Sequence, residues 1–141
     1  MLTDYRRAPM SAGYDFSTYT VNAYDDKYAD MYFENYNGDF YMDVRTDTDI
    51  QDVGYTNSLL DVRTAPLGGW SPTHDVRLYV GHTYVVWTWD DHYAKFRVTN
   101  VSPGRVVFDW AYQLQVSNPM LKRTVNKHGA RPDIVPHPRG N

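Results

Sequence analysis

The chain has no cysteine. That removes disulfides, thiol catalysis and thiolate metal sites together, without fixing a compartment, since many exported proteins also lack cysteine. No apolar run approaches the length of a membrane span, so no spanning helix is expected. Strong helix formers are sparse, and no stretch keeps an apolar 3.6-residue period for long. Helices are therefore not expected to carry the fold. Met1 to Gly13 lack the apolar core of a signal peptide, which leaves a cytoplasmic protein or one that starts after a removed leader. No nucleophile elbow, Walker motif or other phosphate-cradling glycine loop is present. No catalytic residue is assigned, and a non-enzymatic role is expected.

What the chain does have is aromatic mass: Tyr 13, Phe 5 and Trp 4 in 141 residues. Aromatic and β-branched side chains suit half-buried pleated surfaces, so the composition favours strands. The length fits one domain with a real core. The net charge is −3, unevenly placed. Residues 122–141 hold Lys122, Arg123, Lys127, Arg131 and Arg139 against Asp133 alone, so the rest of the chain is more acidic than the total. An acidic body does not attract phosphate backbones, and no nucleic acid partner is expected.

Asn37-Gly38 is the dipeptide preferred in a two-residue type I′ hairpin. The pairing it implies sets Phe33 opposite Met42, Met31 opposite Val44 and Asn35 opposite Phe40 on one face. The other face pairs Tyr32 with Asp43, Glu34 with Tyr41 and Asp30 with Arg45, the last an expected ion pair. Turn chemistry and alternation agree. Residues 46–81 are less regular, with a Gly/Pro loop around Trp70 and a strand expected at Val76 to Val80.

Residues 82–115 give the strongest pattern. Asp90-Asp91 sits where a two-residue turn belongs, which sets Trp87 opposite Ala94, Val85 opposite Phe96 and Thr83 opposite Val98. Lys95 and Arg97 then face solvent. Pro103-Gly104 suits the centre of a type II turn. A bare two-residue loop there would break the face assignment, whereas a five-residue loop sets Phe108 opposite Val98, Trp110 opposite Phe96 and Tyr112 opposite Ala94. Val85, Phe96, Val98, Phe108 and Trp110 are thus expected to be buried together.

The reading divides the chain into an irregular arm at 1–13, a β domain at 14–116 and a basic, proline-rich tail at 117–141. The fold expected is all-β, an antiparallel β-sandwich or open barrel of about seven to nine strands. The tail is too polar to build its own core and needs a surface to lie on. Its contacts would come from Val116, Met120, Leu121, Val125, Ile134 and Val135, and its charge from Lys122, Arg123, Lys127 and Arg131. Docking on another subunit is expected over docking on its own domain.

Tyr14-Asp15-Phe16-Ser17-Thr18, Ala29-Asp30-Met31-Tyr32-Phe33, Gly81-His82-Thr83-Tyr84-Val85-Val86, Tyr93-Ala94-Lys95-Phe96-Arg97-Val98 and Val107-Phe108-Asp109-Trp110-Ala111-Tyr112-Gln113 form a set. The set resembles exported bacterial β-domains, including the HmuY-type haem-binding lipoproteins and their relatives, over roughly residues 14–114. The resemblance implies an exported, extracellular or periplasmic all-β protein without enzymatic activity. It does not carry a haem ligand pair over onto residues of this chain. Asp91 departs from the glycine common in such hairpins.

Trp70 in its loop and Trp89 at a hairpin end are the candidate stacking platforms, while Trp87 and Trp110 are assigned to the core. His82 and His92 are candidate ligand-binding residues, though the histidines lack metal-site spacing. Asp47, Asp49 and Asp52 form D-x-D-x-x-D, which lacks the glycine and final Glu of a full calcium loop. No metal or cofactor is assigned. The leading expectation is an exported module that self-associates through its terminal segments, as a homo-oligomer or with another surface protein. The alternative is a carbohydrate or haem binder.

Overall fold

The computed structural model describes residues 1–122, together with the backbone of Ile134–His137. The fold is all-β: two antiparallel sheets pack together as in a sandwich and do not close into a barrel among the described residues. The strands are β1 (Leu2–Thr3), β2 (Gly13–Asp15), β3 (Thr20–Asn22), β4 (Met31–Tyr36), β5 (Asp39–Asp43), β6 (Asp49–Tyr55), β7 (Asp75–Arg77), β8 (His82–Trp87), β9 (Tyr93–Ser102), β10 (Arg105–Gln113) and β11 (Ile134–His137). The first sheet runs β1-β10-β9-β8-β6, with β11 also on β10; the second runs β3-β2-β4-β5-β7. The count exceeds the expected one because several strands have only two to four residues, too short to leave a period in the sequence.

The β4–β5 hairpin forms as the sequence predicts. Tyr36 pairs with Asp39, Asn35 with Phe40, Glu34 with Tyr41, Phe33 with Met42 and Tyr32 with Asp43. Asn37 (φ 51°) and Gly38 (φ 89°) supply the two positive-φ positions that a type I′ turn requires. Met31, Phe33, Met42 and Val44 enter the core. The expected Asp30–Arg45 ion pair is replaced by two separate bonds. Asp30 is buried and accepts from the Phe16 amide at 2.8 Å, while Arg45 donates to the Asp26 carbonyl at 2.5 Å.

In the meander, Phe108–Val98, Trp110–Phe96 and Tyr112–Ala94 pair as expected, but not through a five-residue loop. Pro103-Gly104 makes a two-residue turn, with Ser102 opposite Arg105 and no positive φ at Gly104, so the turn is not type II. A bulge restores the faces. The register shifts between Val107 and Phe108 and leaves Thr99 as the extra residue, its hydroxyl bonded to the Val107 carbonyl at 3.1 Å.

The β8–β9 register differs from the expected one by a single residue. Trp87 faces Tyr93, Val86 faces Ala94, Val85 faces Lys95, Tyr84 faces Phe96 and Thr83 faces Arg97. The connection is a three-residue loop, and one residue of slip reverses every side chain of the strand. Tyr84 and Val86, not Val85 and Trp87, therefore join Phe96, Val98, Phe108 and Trp110 in the main core.

The outer face of this sheet is not solvent-facing as predicted. Val85 packs there with Ala65, Ala111 and Leu121 in a second, smaller core. Lys95 lies beneath the same cover, only 1% exposed, its Nζ bonded to the Val62 carbonyl at 2.8 Å. Arg97 donates to the Thr56 carbonyl at 3.0 Å. The cover consists of residues around a short 3-10 helix at Leu59–Asp61 and the start of the tail, tied by Ala65 N–H to Pro119 O (2.8 Å) and Leu121 N–H to Arg63 O (2.7 Å).

The arm and the described part of the tail pack on the sheets. The arm is ordered rather than irregular: Leu2 is fully buried, β1 pairs with Val106 and Arg105, and the Asp4 carboxylate accepts from the Asn35 amide at 3.1 Å. Of the tail residues that are described, Leu121 is buried, the Met120 carbonyl accepts from Gln113 Nε2 at 2.7 Å, and β11 pairs with Trp110 to Gln113 of β10. Arg123, Val125, Lys127 and Arg131 lie outside the described residues, as do the side chains of Ile134 and Val135.

Candidate functional site

The loop that sets the β8–β9 register also builds a site. The Thr88 amide donates to His92 O at 2.8 Å and the Asp91 amide to Thr88 O at 3.0 Å, closing the loop Trp89-Asp90-Asp91. Asp91 sits at φ 63°, a conformation that Asp tolerates better than most residues. Its carboxylate accepts from Trp87 Nε1 at 2.8 Å and from the Ser117 hydroxyl. These two bonds hold the Asp91 carboxyl below its ordinary value, ionised and fixed in place.

Trp87 consequently stands on the outer face of the first sheet. Its ring stacks on Tyr93 (5.5 Å, 11°) and leans on Trp70 (6.0 Å, 38°). Beside it lies a shallow cleft of ≈ 190 Å³ lined by Asp47, Asp49, Trp87, Thr88, Trp89 and Asp91. Trp89 is 46% exposed, with the Tyr28 ring 6.4 Å from its own. The cleft falls below the roughly 300–1,000 Å³ of enclosing ligand pockets, so it is a platform for one ring rather than a cavity.

The sequence-predicted platforms Trp70 and Trp89 are both in this region. Trp87, assigned to the core from the sequence, is a correction: it is the residue that joins them, and only Trp110 of the assigned pair is in the core. The one signal that would have placed Trp87 outside was the odd loop length at Trp89-Asp90-Asp91.

The two candidate histidines are not brought together. His82 begins β8, its Nδ1 3.0 Å from both Asp52 carboxylate oxygens, whereas His92 lies past the opposite end, its Nδ1 2.9 Å from Gln113 O. The length of β8 separates them by roughly 20 Å, too far for one iron between two imidazoles. The three aspartates also divide. Asp47 and Asp49 line the tryptophan cleft, but Asp52 is engaged by His82. Among the described residues no group of three or more His, Asp or Glu is placed to hold a metal ion.

No protein-family model, curated protein or solved structure matches the chain.

Proposed function

We propose that the protein is a non-enzymatic binding module that takes a sugar ring on the tryptophan platform of its first sheet. The observation that carries this reading is the placement of Trp87 and Trp89 around one carboxylate-rimmed cleft, with Trp87 packed on Tyr93 and Trp70. The apolar C–H face of a pyranose packs on an aromatic ring, and the carboxylates of Asp47, Asp49 and Asp91 accept bonds from its hydroxyls. Because Asp91 is already ionised and immobilised by Trp87 and Ser117, little ordering cost remains at the moment of binding. An exported setting, which the family resemblance implies, suits such a ligand. Calorimetry against a panel of neutral oligosaccharides tests it. Binding to at least one, weakened at least about tenfold by Trp89→Ala, is expected. No binding across the panel overturns the reading.

A second reading, self-association through the terminal segments, draws support from one feature. Strands from both ends of the chain, β1 and β11, pair on the same strand, β10. Short terminal strands of this kind exchange between copies at low cost. Light scattering over a wide concentration range tests it: a growing mass supports exchange, and a constant monomer mass rejects it.

A further inference from the structure

The solvent face of the second sheet carries a different chemistry. Glu34 and Tyr36 of β4, Tyr41 of β5, Asp75 of β7 and Thr73 line a cleft of ≈ 440 Å³. In register, Glu34 stands opposite Tyr41 and Asp43 stands opposite Asp75. Three carboxylates therefore occupy neighbouring positions on one face. Like charges directly opposite on a sheet are destabilising, yet Asp43 is also only 8% exposed.

Asp43 has an unusual partner. Its carboxyl lies within hydrogen-bonding reach of the carboxyl of Glu34, and among the described residues no N–H donor serves it. Two carboxyl groups bond only by sharing a proton. Burial, then Glu34 and Asp75, raise Asp43 to about 8, with Arg6 opposing. The proton stands where a cation would compensate the cluster better. The two arginines nearby are occupied at the rim. Arg6 donates to Glu34 Oε2 at 2.7 Å and lies over the Tyr5 and Tyr36 rings at 5.2 and 5.4 Å. Arg77 donates to Asp39 at 2.6 Å and lies over Tyr79 at 5.5 Å. The protein's own guanidinium groups thus already use a carboxylate plus a tyrosine face on this surface.

We propose that the Glu34–Tyr36–Tyr41–Asp75 cleft binds an organic cation, a guanidinium or alkylammonium group, with the tyrosine rings against its face and the carboxylates taking its N–H groups. Cation–π contact and charge-assisted hydrogen bonds both favour this class, and guanidinium in particular matches a carboxylate pair. A bare metal ion would make no use of the Tyr41 ring. On binding, the proton shared by Glu34 and Asp43 leaves for solvent as the ligand's charge replaces it. The groups facing Asp43 are Glu34 on β4, Asp75 on β7 and Arg6 on the arm, with the phenols of Tyr5 and Tyr32 beside it. The site is independent of the sugar reading and lies on the other sheet.

The test is calorimetry of the full chain with methylguanidinium, with an arginine-containing tetrapeptide and with calcium, in two buffers of different ionisation enthalpy. Binding of either organic cation with net proton uptake by buffer at pH 7, and with affinity rising as pH rises toward 8, supports the proposal. Methylguanidinium binding points to a free small organic cation; binding of the tetrapeptide alone points to a partner's side chain. Glu34→Gln and Tyr41→Leu should each weaken binding about tenfold or more while leaving the melting curve cooperative. Failure of both cations to bind at about 10 mM, calcium binding in their place, or binding untouched by both substitutions overturns it.

Discussion

Trp87 and Tyr93 stand directly opposite each other on β8 and β9, their rings stacked 5.5 Å apart and only 11° from parallel. The pair exists because the connecting loop holds three residues, and that loop survives because Asp91 accepts a positive φ. Asp91 then bonds back to the Trp87 indole. Asp91→Ala keeps the strained backbone and removes that bond, so a loss of about 1–3 kcal/mol is expected. Asp91→Asn retains an acceptor and a tolerated conformation and should stay within about 1 kcal/mol of the native chain. Urea unfolding of the two variants decides.

The β4–β5 turn offers a cleaner backbone experiment. A Cβ at Gly38 would meet no atom within 4 Å, but φ there is +89°. Gly38→Val should therefore cost about 1 kcal/mol or more through conformation alone, with no steric contribution. An unchanged melting temperature would contradict the type I′ geometry.

Phe96 is fully buried and stacks on Tyr84 at 4.9 Å. Phe96→Ala should cost about 3–5 kcal/mol, as a large cavity in a main core does. Leu121→Ala opens the smaller outer core and should cost less, about 2–3 kcal/mol. An equal or larger cost at Leu121 would mean that the outer core, not the inter-sheet one, dominates stability.

Three buried groups give stability a defined pH profile. Burial raises Asp30 to about 8 from an ordinary 3.8, against the opposing Phe16 amide bond, and Asp43 is raised likewise. A carboxyl raised in the folded state favours folding while protonated. That contribution is full below pH 4 and is lost as pH climbs to 8. Lys95 is lowered by burial from 10.5 to about 8. Its penalty is full below pH 8 and disappears as pH rises toward 10.5, on the order of 3 kcal/mol. Thermal melts should show stability falling from pH 4 to 8 and partly recovering above it. Asp30→Asn should flatten the first limb and Lys95→Met the second. A profile flat from pH 4 to 8 would contradict the burial of Asp30.

The sequence made some of this legible and hid the rest for identifiable reasons. At Asn37-Gly38, turn preference and face alternation were independent signals that agreed, so every pair of that hairpin could be written down. In β9 and β10 the Phe96–Trp110 and Val98–Phe108 pairing was legible because only one face of those strands alternates strongly enough to choose a register. β8 offered no such choice. Thr83, Val85 and Trp87 are as apolar as Tyr84 and Val86, since both faces of that strand are covered. Lys95 was misplaced for the same reason: its long stem lies beneath the cover while its Nζ reaches a carbonyl. Trp70 and Trp89 were legible as loop aromatics, whereas Trp87 depended on a loop one residue longer than the two-residue turn expected at Asp90-Asp91. The Asp43–Asp75 juxtaposition had no local signal, because β5 and β7 pair across a long separation in sequence.

Sugar binding on the tryptophan platform is tested most directly by a two-dimensional NMR titration that follows the four indole N–H resonances as an oligosaccharide is added. The Trp87 and Trp89 signals are expected to shift together and saturate, Trp70 to follow more weakly, and Trp110, buried between the sheets, to stay in place. Resonances that stay fixed with every oligosaccharide, or a response led by Trp110, would contradict it.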